Sequence, residues 1–254
     1  MRILPALFFS LVFCLVLIGT APLAARELVV DLSEAVVRVT TGFTGSNLLL
    51  YGHAAGPGDV VVVVRGPQAD KTVRKKERII GIWANRGSMT FSAVPGFYTI
   101  SSNKPIAEIL GGEQRAYHQI GTDYLPLNAE EESLDPPPDR REIIAYREAL
   151  IRNMERDGLF STQTGNLLFL GNGLFRTRIA FPANVPIGTY GIDVYLVRDN
   201  EVVAFETTLL SVRKFGLEAE IFDLAQRHSL AYGVLAILIA AGAGWAASAA
   251  FRKS

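Results

Sequence analysis

Residues 230–250 read LAYGVLAILIAAGAGWAASAA, and this run near the C-terminus contains no charged side chain. At the helical rise of about 1.5 Å per residue the run spans roughly 30 Å, the thickness of a bilayer's hydrocarbon core. In lipid, a helix satisfies every backbone N–H and C=O group within one segment. The run therefore predicts a transmembrane helix over residues 229–251, with membrane lipid around it. A buried core helix is the alternative.

Small side chains recur at every fourth residue of this predicted helix, at Ala236, Ala240, Gly244 and Ser248. This spacing places them on one helix face. Small residues on a membrane helix let a second helix backbone approach closely. The ridge predicts packing against another integral membrane protein, or homo-oligomerisation through the membrane helix. An Ala-rich composition that produces the same spacing by chance is the alternative.

The N-terminus predicts export of the chain. Met1 and Arg2 precede an apolar stretch, residues 3–18, and small residues follow up to Ala25. A charged, a hydrophobic and a cleavage-like region in this order are typical of a secretory signal peptide, here residues 1–25. Cleavage after residue 21, 24 or 25 stays open, as does retention as a second anchor. Export followed by a C-terminal span places the tail, residues 252–254, in the cytoplasm, in agreement with its two basic residues.

Composition excludes several classes of function. The chain has 254 residues with 25 basic and 25 acidic side chains, so no overall charge favours nucleic acid. An exported protein also rarely meets nucleic acid. The single cysteine, Cys14, lies inside the predicted signal peptide. The rest of the chain therefore has no disulfide framework, no thiolate metal site and no cysteine nucleophile.

The exported part has a mainly β pattern. Residues 26–127 contain short β-branched or apolar runs separated by glycines, and residues 78–83 are one of the predicted strands. Five consecutive valines, residues 60–64, suit a strand that is covered on both faces. The pattern returns over residues 159–214, where Asn172-Gly173 and Asp199-Asn200 predict hairpin turns. We predict one or two immunoglobulin-like β-sandwich modules.

An acidic, proline-rich linker and an amphipathic helix lie between these β segments, in residues 128–158. The predicted helix, residues 140–156, has Asp139 as its N-cap and Gly158 as its C-terminal stop. Its apolar face packs either on its own domain, which the pattern favours, or on a partner helix. Residues 215–228 predict a helical stalk that leads to the membrane. The candidate partner face consists of Ile143, Leu150 and Met154.

The sequence contains no recognisable catalytic, cofactor or metal motif. The histidines are His53, His118 and His228, and no two of them have the spacing of a metal pair. A nucleophile elbow, a phosphate loop and a dinucleotide fingerprint are also absent from the sequence. We therefore expect a non-enzymatic protein without a cofactor. A hydrolase would need His53 or His118 beside a carboxylate in a pocket.

A basic cluster at residues 71–78 is the remaining candidate for binding. Its cations could contact anionic lipid headgroups, or a small periplasmic anion or sugar. The pattern favours the alternative of a solvated edge strand, whose lysines discourage pairing with other strands. A nearby tryptophan is either part of this site or part of a sandwich core. The candidate contacts are Arg74, Lys76, Arg78 and Trp83.

Several motifs together resemble a known family. RIIGIWAN at residues 78–85, VPGFY at residues 94–98 and PIGTY at residues 186–190 occur between the signal and the terminal span. This combination resembles the alphaproteobacterial transmembrane protein family, a group with no established activity. The resemblance covers nearly the whole chain and carries over no catalytic residue. It implies an inner-membrane location with the bulk of the chain in the periplasm, and a sulfite-exporter-type permease as a partner.

Two hypotheses follow from the sequence. The first is a non-enzymatic, single-pass accessory protein whose β-rich region is fixed beside a membrane partner such as a transporter. The second is a membrane-tethered periplasmic binding module for a small anion or sugar. A cleft lined by Arg74, Arg78 and Trp83 would favour the second hypothesis. The sequence leaves open the partner, the ligand, the oligomeric state and whether the β part is one sandwich or two.

Overall fold

The chain is mainly β, as the sequence predicts. The computed structural model describes residues 26–79, 81–130, 139–161, 164–216 and 229–251. The strands are β1 (Leu28–Leu32), β2 (Val36–Val39), β3 (Gly45–Ala54), β4 (Asp59–Arg65), β5 (Gln68–Ile79), β6 (Ile82–Pro95), β7 (Tyr98–Ser102), β8 (Asn128–Ala129), β9 (Gly165–Gly171), β10 (Leu174–Pro182), β11 (Gly188–Arg198) and β12 (Glu201–Lys214). The helices are α1 (Ile106–Ile109), α2 (Gly112–Tyr117), α3 (Arg140–Arg156) and α4 (Ser229–Phe251), with a 3-10 turn at Thr122–Tyr124.

Nine of the strands form one curled sheet in the order β1-β3-β10-β9-β7-β4-β11-β12-β2. β10 pairs with β3, and β11 pairs with β4. Strands from both predicted β segments, residues 26–127 and 159–214, therefore build this sheet together. β1 and β2 lie at opposite ends of the order, although only residues 33–35 connect them. The sheet must therefore curl until its ends approach each other. The finer prediction of an immunoglobulin-like sandwich stays a prediction.

β4 lies in the middle of the core. Its five valines, residues 60–64, are each exposed by 1% or less. β11 pairs with one edge of β4 and β7 with the other. The prediction of a strand covered on both faces is confirmed. Full burial of one valine side chain contributes at least about 1.5 kcal/mol, so β4 is a major source of stability.

Both predicted hairpin turns are present. Asn172 and Gly173 join β9 to β10 with φ angles of 48° and 76°. Asp199 and Asn200 join β11 to β12 with φ angles of 50° and 68°. Glycine reaches positive φ without steric cost, and Asn and Asp tolerate it better than other side chains. The residue types at these turns therefore explain where the strands reverse.

Helix α3 begins and ends where the sequence predicts. The side chain of Asp139 accepts a hydrogen bond from the Glu142 N–H at 2.7 Å, which confirms the predicted N-cap. Gly158 follows the helix with a φ of 71°. Leu150 and Met154 are 3% and 5% exposed, and Ile143 is partly buried against the same core. This face packs on its own domain, so the prediction that Ile143, Leu150 and Met154 contact a partner helix is corrected.

The second sheet has three strands in the order β5-β6-β8. β5 and β6 form one long hairpin, in which Ile79 pairs with Ile82 and Gly81 turns the chain with a φ of 86°. The prediction of a strand over residues 78–83 is therefore wrong, because the chain reverses in the middle of that stretch. The basic residues of β5 lie on an edge strand, as the favoured alternative for this cluster predicts.

The C-terminal run forms helix α4, which has 23 residues. Within the part of the chain that the structure describes, no helix has the length and apolar character needed to cross a membrane. The predicted transmembrane helix is therefore not confirmed by the structure. The predicted signal peptide with Cys14, the acidic stretch at residues 131–138, the stalk segment with His228 and the tail lie outside the described residues.

Candidate functional site: a basic cleft beside helix α3

The predicted contact residues lie along the β5–β6 hairpin. Arg74, Lys76 and Arg78 are exposed, and their two-residue spacing places them on one face of β5. Arg78 pairs in register with Trp83 on β6, whose side chain lies outside the description. The Arg78 Nε donates to the Gly81 carbonyl at 3.4 Å, so this guanidinium holds the hairpin turn. The predicted contact residues on β5 therefore lie in a row along the edge of the three-stranded sheet.

A cleft of about 570 Å³ lies between β5 and helix α3. Arg74 lines it, whereas Lys76 and Arg78 do not. The structure therefore places Arg74 at a concave surface and leaves Lys76 and Arg78 outside it. The full lining is Val73, Arg74, Lys75, Asp139, Arg141, Glu142, Ala145, Tyr146, Ala149 and Arg152.

Tyr146 forms the buried part of this cleft. Its side chain is 6% exposed, and burial raises the pKa of its hydroxyl, with a further increase from the nearby Glu142 carboxylate. A Cβ atom added at Gly87 on β6 would lie 2.6 Å from the Tyr146 hydroxyl oxygen. The absence of a side chain at Gly87 therefore lets the hairpin approach the helix. Tyr146 stays protonated at neutral pH and can donate a hydrogen bond.

Four cations and two carboxylates line the cleft, and several are already engaged. Lys75 forms an ion pair with Glu77 at 3.0 Å, and the hydrogen bond to that carboxylate raises the pKa of Lys75. The Asp139 side chain caps helix α3. Within the described ranges, neither Arg74 nor Arg141 forms a hydrogen bond or an ion pair. Two free guanidinium groups at one cleft are suited to an anionic group.

A second polar cluster, which the sequence analysis missed, lies on the nine-stranded sheet. Arg65 at the end of β4 forms an ion pair with Asp193 on β11. The Arg65 Nη2 donates to the His118 carbonyl at 2.9 Å and to the Gln119 carbonyl at 3.1 Å. The Tyr98 hydroxyl donates to the Gln119 carbonyl at 3.1 Å, and burial raises the pKa of Tyr98. The cluster fixes the loop after α2 to the sheet. Charged residues within otherwise apolar strands were the available signal for it.

The two described histidines lie in different surroundings. His53 is exposed on β3. The His118 ring lies 4.9 Å from the Tyr117 ring and 5.2 Å from the Tyr195 ring. Burial lowers the pKa of His118, and the nearby Arg65 charge lowers it further. Over the described residues, neither ring is hydrogen-bonded to a carboxylate, and no three potential ligand side chains cluster as a metal site.

The predicted small-residue ridge lies on helix α4. Ala240, Gly244 and Ser248 are exposed, and the side chain of Ala236 lies outside the description. A Cβ atom added at Gly244 would meet no other atom within 4 Å. The described part of the ridge is therefore open along the helix.

Comparison with known protein families gives a match that spans most of the chain. Residues 27–253 match the family described as "Putative transmembrane protein (Alph_Pro_TM)". The match begins just after the predicted signal peptide and runs through helix α4. It confirms the family resemblance of the sequence motifs. No curated protein matches the chain.

Proposed function

Because the chain belongs to the family described as "Putative transmembrane protein (Alph_Pro_TM)", we propose that it is a non-enzymatic, single-pass protein of the inner membrane. Its β-rich region lies in the periplasm and acts as an accessory or interaction subunit of a membrane complex. One observation carries the proposal: the family match runs through helix α4, whose 23 residues include no Asp, Glu, Lys or Arg. In the sequence, an apolar run of this kind without charged residues is the signal of a membrane span.

The arrangement of charges supports the proposed orientation. The signal-like N-terminus directs the β-rich region across the membrane, and Arg252 and Lys253 follow the apolar run. Basic residues next to a span favour the cytoplasmic side. The C-terminus is then cytoplasmic, and residues 26–228 are periplasmic.

The strand order supports an immunoglobulin-like fold for the periplasmic region. β1-β3-β10-β9 corresponds to the A-B-E-D sheet of such domains, and β12-β11-β4 corresponds to G-F-C. β7 follows β4 in the position of strand C′. Tyr190, near the start of β11, donates from its hydroxyl to the Pro186 carbonyl at 2.6 Å, as in a tyrosine corner. Such folds commonly serve as interaction modules, although the fold alone does not define the function.

We assign the proposed membrane contact to the ridge of Ala236, Ala240, Gly244 and Ser248. Small residues on one helix face allow close approach of a second helix, either from a transporter such as a sulfite-exporter-type permease or from another copy. Ala240, Gly244 and Ser248 are exposed. The anchoring proposal is tested by alkaline carbonate extraction of membranes and by protease access to a C-terminal tag in intact spheroplasts. Membrane retention and a protected tag are expected. Release into the supernatant, or a tag cleaved from outside, would refute the anchored topology.

The partner contact is tested with a matched pair of glycine variants. Gly244 lies on the ridge, whereas Gly242 lies about 200° away around the helix at 100° per residue. A Cβ atom added at either glycine would meet no other atom within 4 Å. Gly244→Leu is expected to lose membrane proteins that co-purify with the wild-type chain, and Gly242→Leu is expected to retain them. Equal recovery from both variants would contradict the ridge as the contact.

The cleft beside helix α3 favours a second candidate function, a tethered module for a small anion or sugar. Its free guanidinium groups, Arg74 and Arg141, carry this alternative. Titration calorimetry with inorganic sulfate provides a test on the detergent-solubilised chain. Arg74→Gln should abolish the binding heat, and Lys76→Gln, which removes a cation from the same strand outside the cleft, should preserve it. No binding heat from the wild-type chain would eliminate sulfate-like anions as ligands.

A further inference from the structure

β12 has an edge that is partly unpaired. β11 pairs with β12 along one side, but β2 covers the other side only at Ser211–Lys214. The Ser211 N–H donates across that side to the Ala35 carbonyl at 3.0 Å. Backbone groups of a strand alternate in direction, so Phe205, Thr207 and Leu209 point their N–H and C=O groups to the same side. Among the described residues, these groups have no backbone partner there.

Two of the three side chains along this edge are apolar, and all three are exposed. Phe205 is 67% exposed and Leu209 is 64% exposed. An exposed apolar edge strand is a template for pairing with another strand. The edge of the other sheet differs, because β5 carries Lys71, Arg74, Lys75, Lys76 and Arg78, which prevent such pairing. The β5 edge is therefore protected by its cations, whereas the three β12 residues with unpaired outward backbone groups, Phe205, Thr207 and Leu209, carry no charge.

We propose that a second copy of this chain occupies the free edge, with the two β12 strands antiparallel about Thr207. Phe205 then lies opposite Leu209 of the second copy, and the two Thr207 residues lie opposite each other. The aromatic–aliphatic pair is a favourable cross-strand neighbour. The Thr207 hydroxyl keeps its donation to the Asp193 Oδ1 at 2.7 Å and needs no partner across the new ladder. Each of the three residues on each strand supplies one N–H and one C=O to the new ladder.

Glu206, the charged residue between Phe205 and Thr207, limits the possible registers. A pairing centred on Glu206 would place two carboxylates directly opposite each other, which is destabilising. A pairing centred on Phe205 would extend into Val203, where the β11–β12 ladder is interrupted by a bulge. In the pairing centred on Thr207, the Glu206 carboxylate faces the Thr208 hydroxyl of the second copy, which can donate to it. The edge is therefore complementary to itself in the register centred on Thr207.

The same symmetry explains why the assembly is a closed dimer. A two-fold axis relates the copies, so residues 205–209 of each β12 are covered by the same residues of the other copy, and the contact is closed at two chains. The inference does not depend on the small-residue ridge of α4. With the two-fold axis along the bilayer normal, the α4 helices of both copies can enter one membrane.

A single-cysteine crosslink tests the register in the full chain, in native membranes and on a Cys14→Ser background. Directly opposed residues in a hydrogen-bonded antiparallel pair have Cα atoms about 5.5 Å apart, within the range of a disulfide. Thr207→Cys is therefore expected to form a disulfide-linked dimer with copper phenanthroline. Thr189→Cys, an exposed threonine on the interior strand β11, is expected to stay monomeric.

Charge variants test the edge itself. We expect Phe205→Lys to abolish the crosslink when it is added to Thr207→Cys. The control is Ile187→Lys, at an exposed apolar residue outside the strands, and we expect it to leave the crosslink intact. Light scattering of the solubilised single variants measures the same difference without a cysteine, as a halved protein mass for Phe205→Lys. Gly244→Leu should leave the crosslink unchanged. Absence of the Thr207→Cys dimer, its persistence in Phe205→Lys, or its loss in Gly244→Leu would overturn the proposal.

Discussion

The nine-stranded sheet and the three-stranded sheet bury apolar side chains to different extents. In the first sheet, Val62, Phe175 and Ile192 are completely closed from solvent. In the second sheet, Phe91 of β6 is 0% exposed. Residues 74–78 of β5, towards the hairpin turn, are mostly exposed and basic. Hydrophobic free energy scales with buried apolar area. The nine-stranded sheet therefore holds most of the stability, and the hairpin presents its charges on a less stable support.

The support of the hairpin is helix α3. Tyr146 packs under Gly87 of β6, and the helix is fixed in turn by Arg147, whose Nη2 donates to the Asp123 carbonyl at 2.7 Å. Regions with fewer buried contacts open locally at a lower free-energy cost than the global core. The difference between the sheets thus implies that the basic cleft can loosen while the nine-stranded sheet stays folded.

A pair of identical substitutions gives the largest expected effect. Leu50 in the nine-stranded sheet is 0% exposed and Leu150 in helix α3 is 3% exposed. Leu50→Ala should lower the free energy of unfolding by about 4 kcal/mol, because the surrounding strands cannot close the cavity. Leu150→Ala should cost about 2 kcal/mol, because the helix can shift towards the space. Chemical denaturation of the solubilised chain measures both. An equal cost, or a larger one at Leu150, would break the comparison.

The polar cluster on the nine-stranded sheet gives the next largest effect. Arg65→Met removes the ion pair with Asp193 and the hydrogen bonds to the His118 and Gln119 carbonyls. Hydrogen bonds that involve a charged group contribute about 1.5 to 3 kcal/mol, so we expect a loss of about 2 kcal/mol.

The double variant Arg65→Met/Asp193→Asn serves as the control for this loss. Removing both partners leaves no unpaired charge, so the double variant should be less destabilised than the sum of the single variants. Additive losses would show that the pair does not couple β4 to β11.

Sequence patterns were sufficient where one short stretch determines the outcome. The five valines of β4, the turn at Asn172-Gly173 and the capped helix α3 depend on residues within a few positions of each other. Residues 78–83, which contain the turn of the β5–β6 hairpin, were predicted as one strand because Gly81 lies within a run of apolar residues. At Gly81, a turn differs from a strand in the backbone angle φ, and the residue types around it are compatible with both structures.

The candidate site was less predictable than the fold. Arg74 and Arg141 are distant in the sequence, and the packing of α3 on β5 brings both to one cleft. Arg65, Asp193 and Tyr98 meet because β4 lies between β7 and β11, an order that no local pattern contains. The apolar face of α3 had two interpretations, and only the tertiary contact distinguished them. Non-local pairing therefore sets the limit of the sequence analysis.

The cap of helix α3 tests the less stable region alone. Asp139→Ala removes the acceptor for the Glu142 N–H and should cost about 1 kcal/mol. Hydrogen exchange should therefore accelerate in the first turns of α3 and remain unchanged in β4. Asp139→Asn, which keeps a capping oxygen, should restore most of the protection. Equal acceleration in β4 would mean that the two regions unfold together, which the comparison does not allow.

Acidification tests the more stable region and gives the smallest effect. Burial and the Arg65 charge hold the folded-state pKa of His118 below its ordinary value of about 6.5. The unfolded chain then binds more protons as the pH falls below about 6.5, so the His118 contribution to stability, fully present above that pH, declines towards the folded pKa. We expect a small loss of unfolding free energy between about pH 7.5 and 5.5, a window above the ordinary carboxyl pKa values.

His118→Phe keeps the ring contact with Tyr195, whose centroid lies 5.2 Å away, and removes the titrating group. Denaturation midpoints of this variant should fall less than those of the wild-type chain over the same window. As the pH falls, hydrogen exchange of the wild-type chain should accelerate at residues 118–121, next to the nine-stranded sheet, and should stay unchanged in α3. An identical decline in both proteins would assign the pH dependence to another group, and a decline centred on α3 would reverse the order of the two regions.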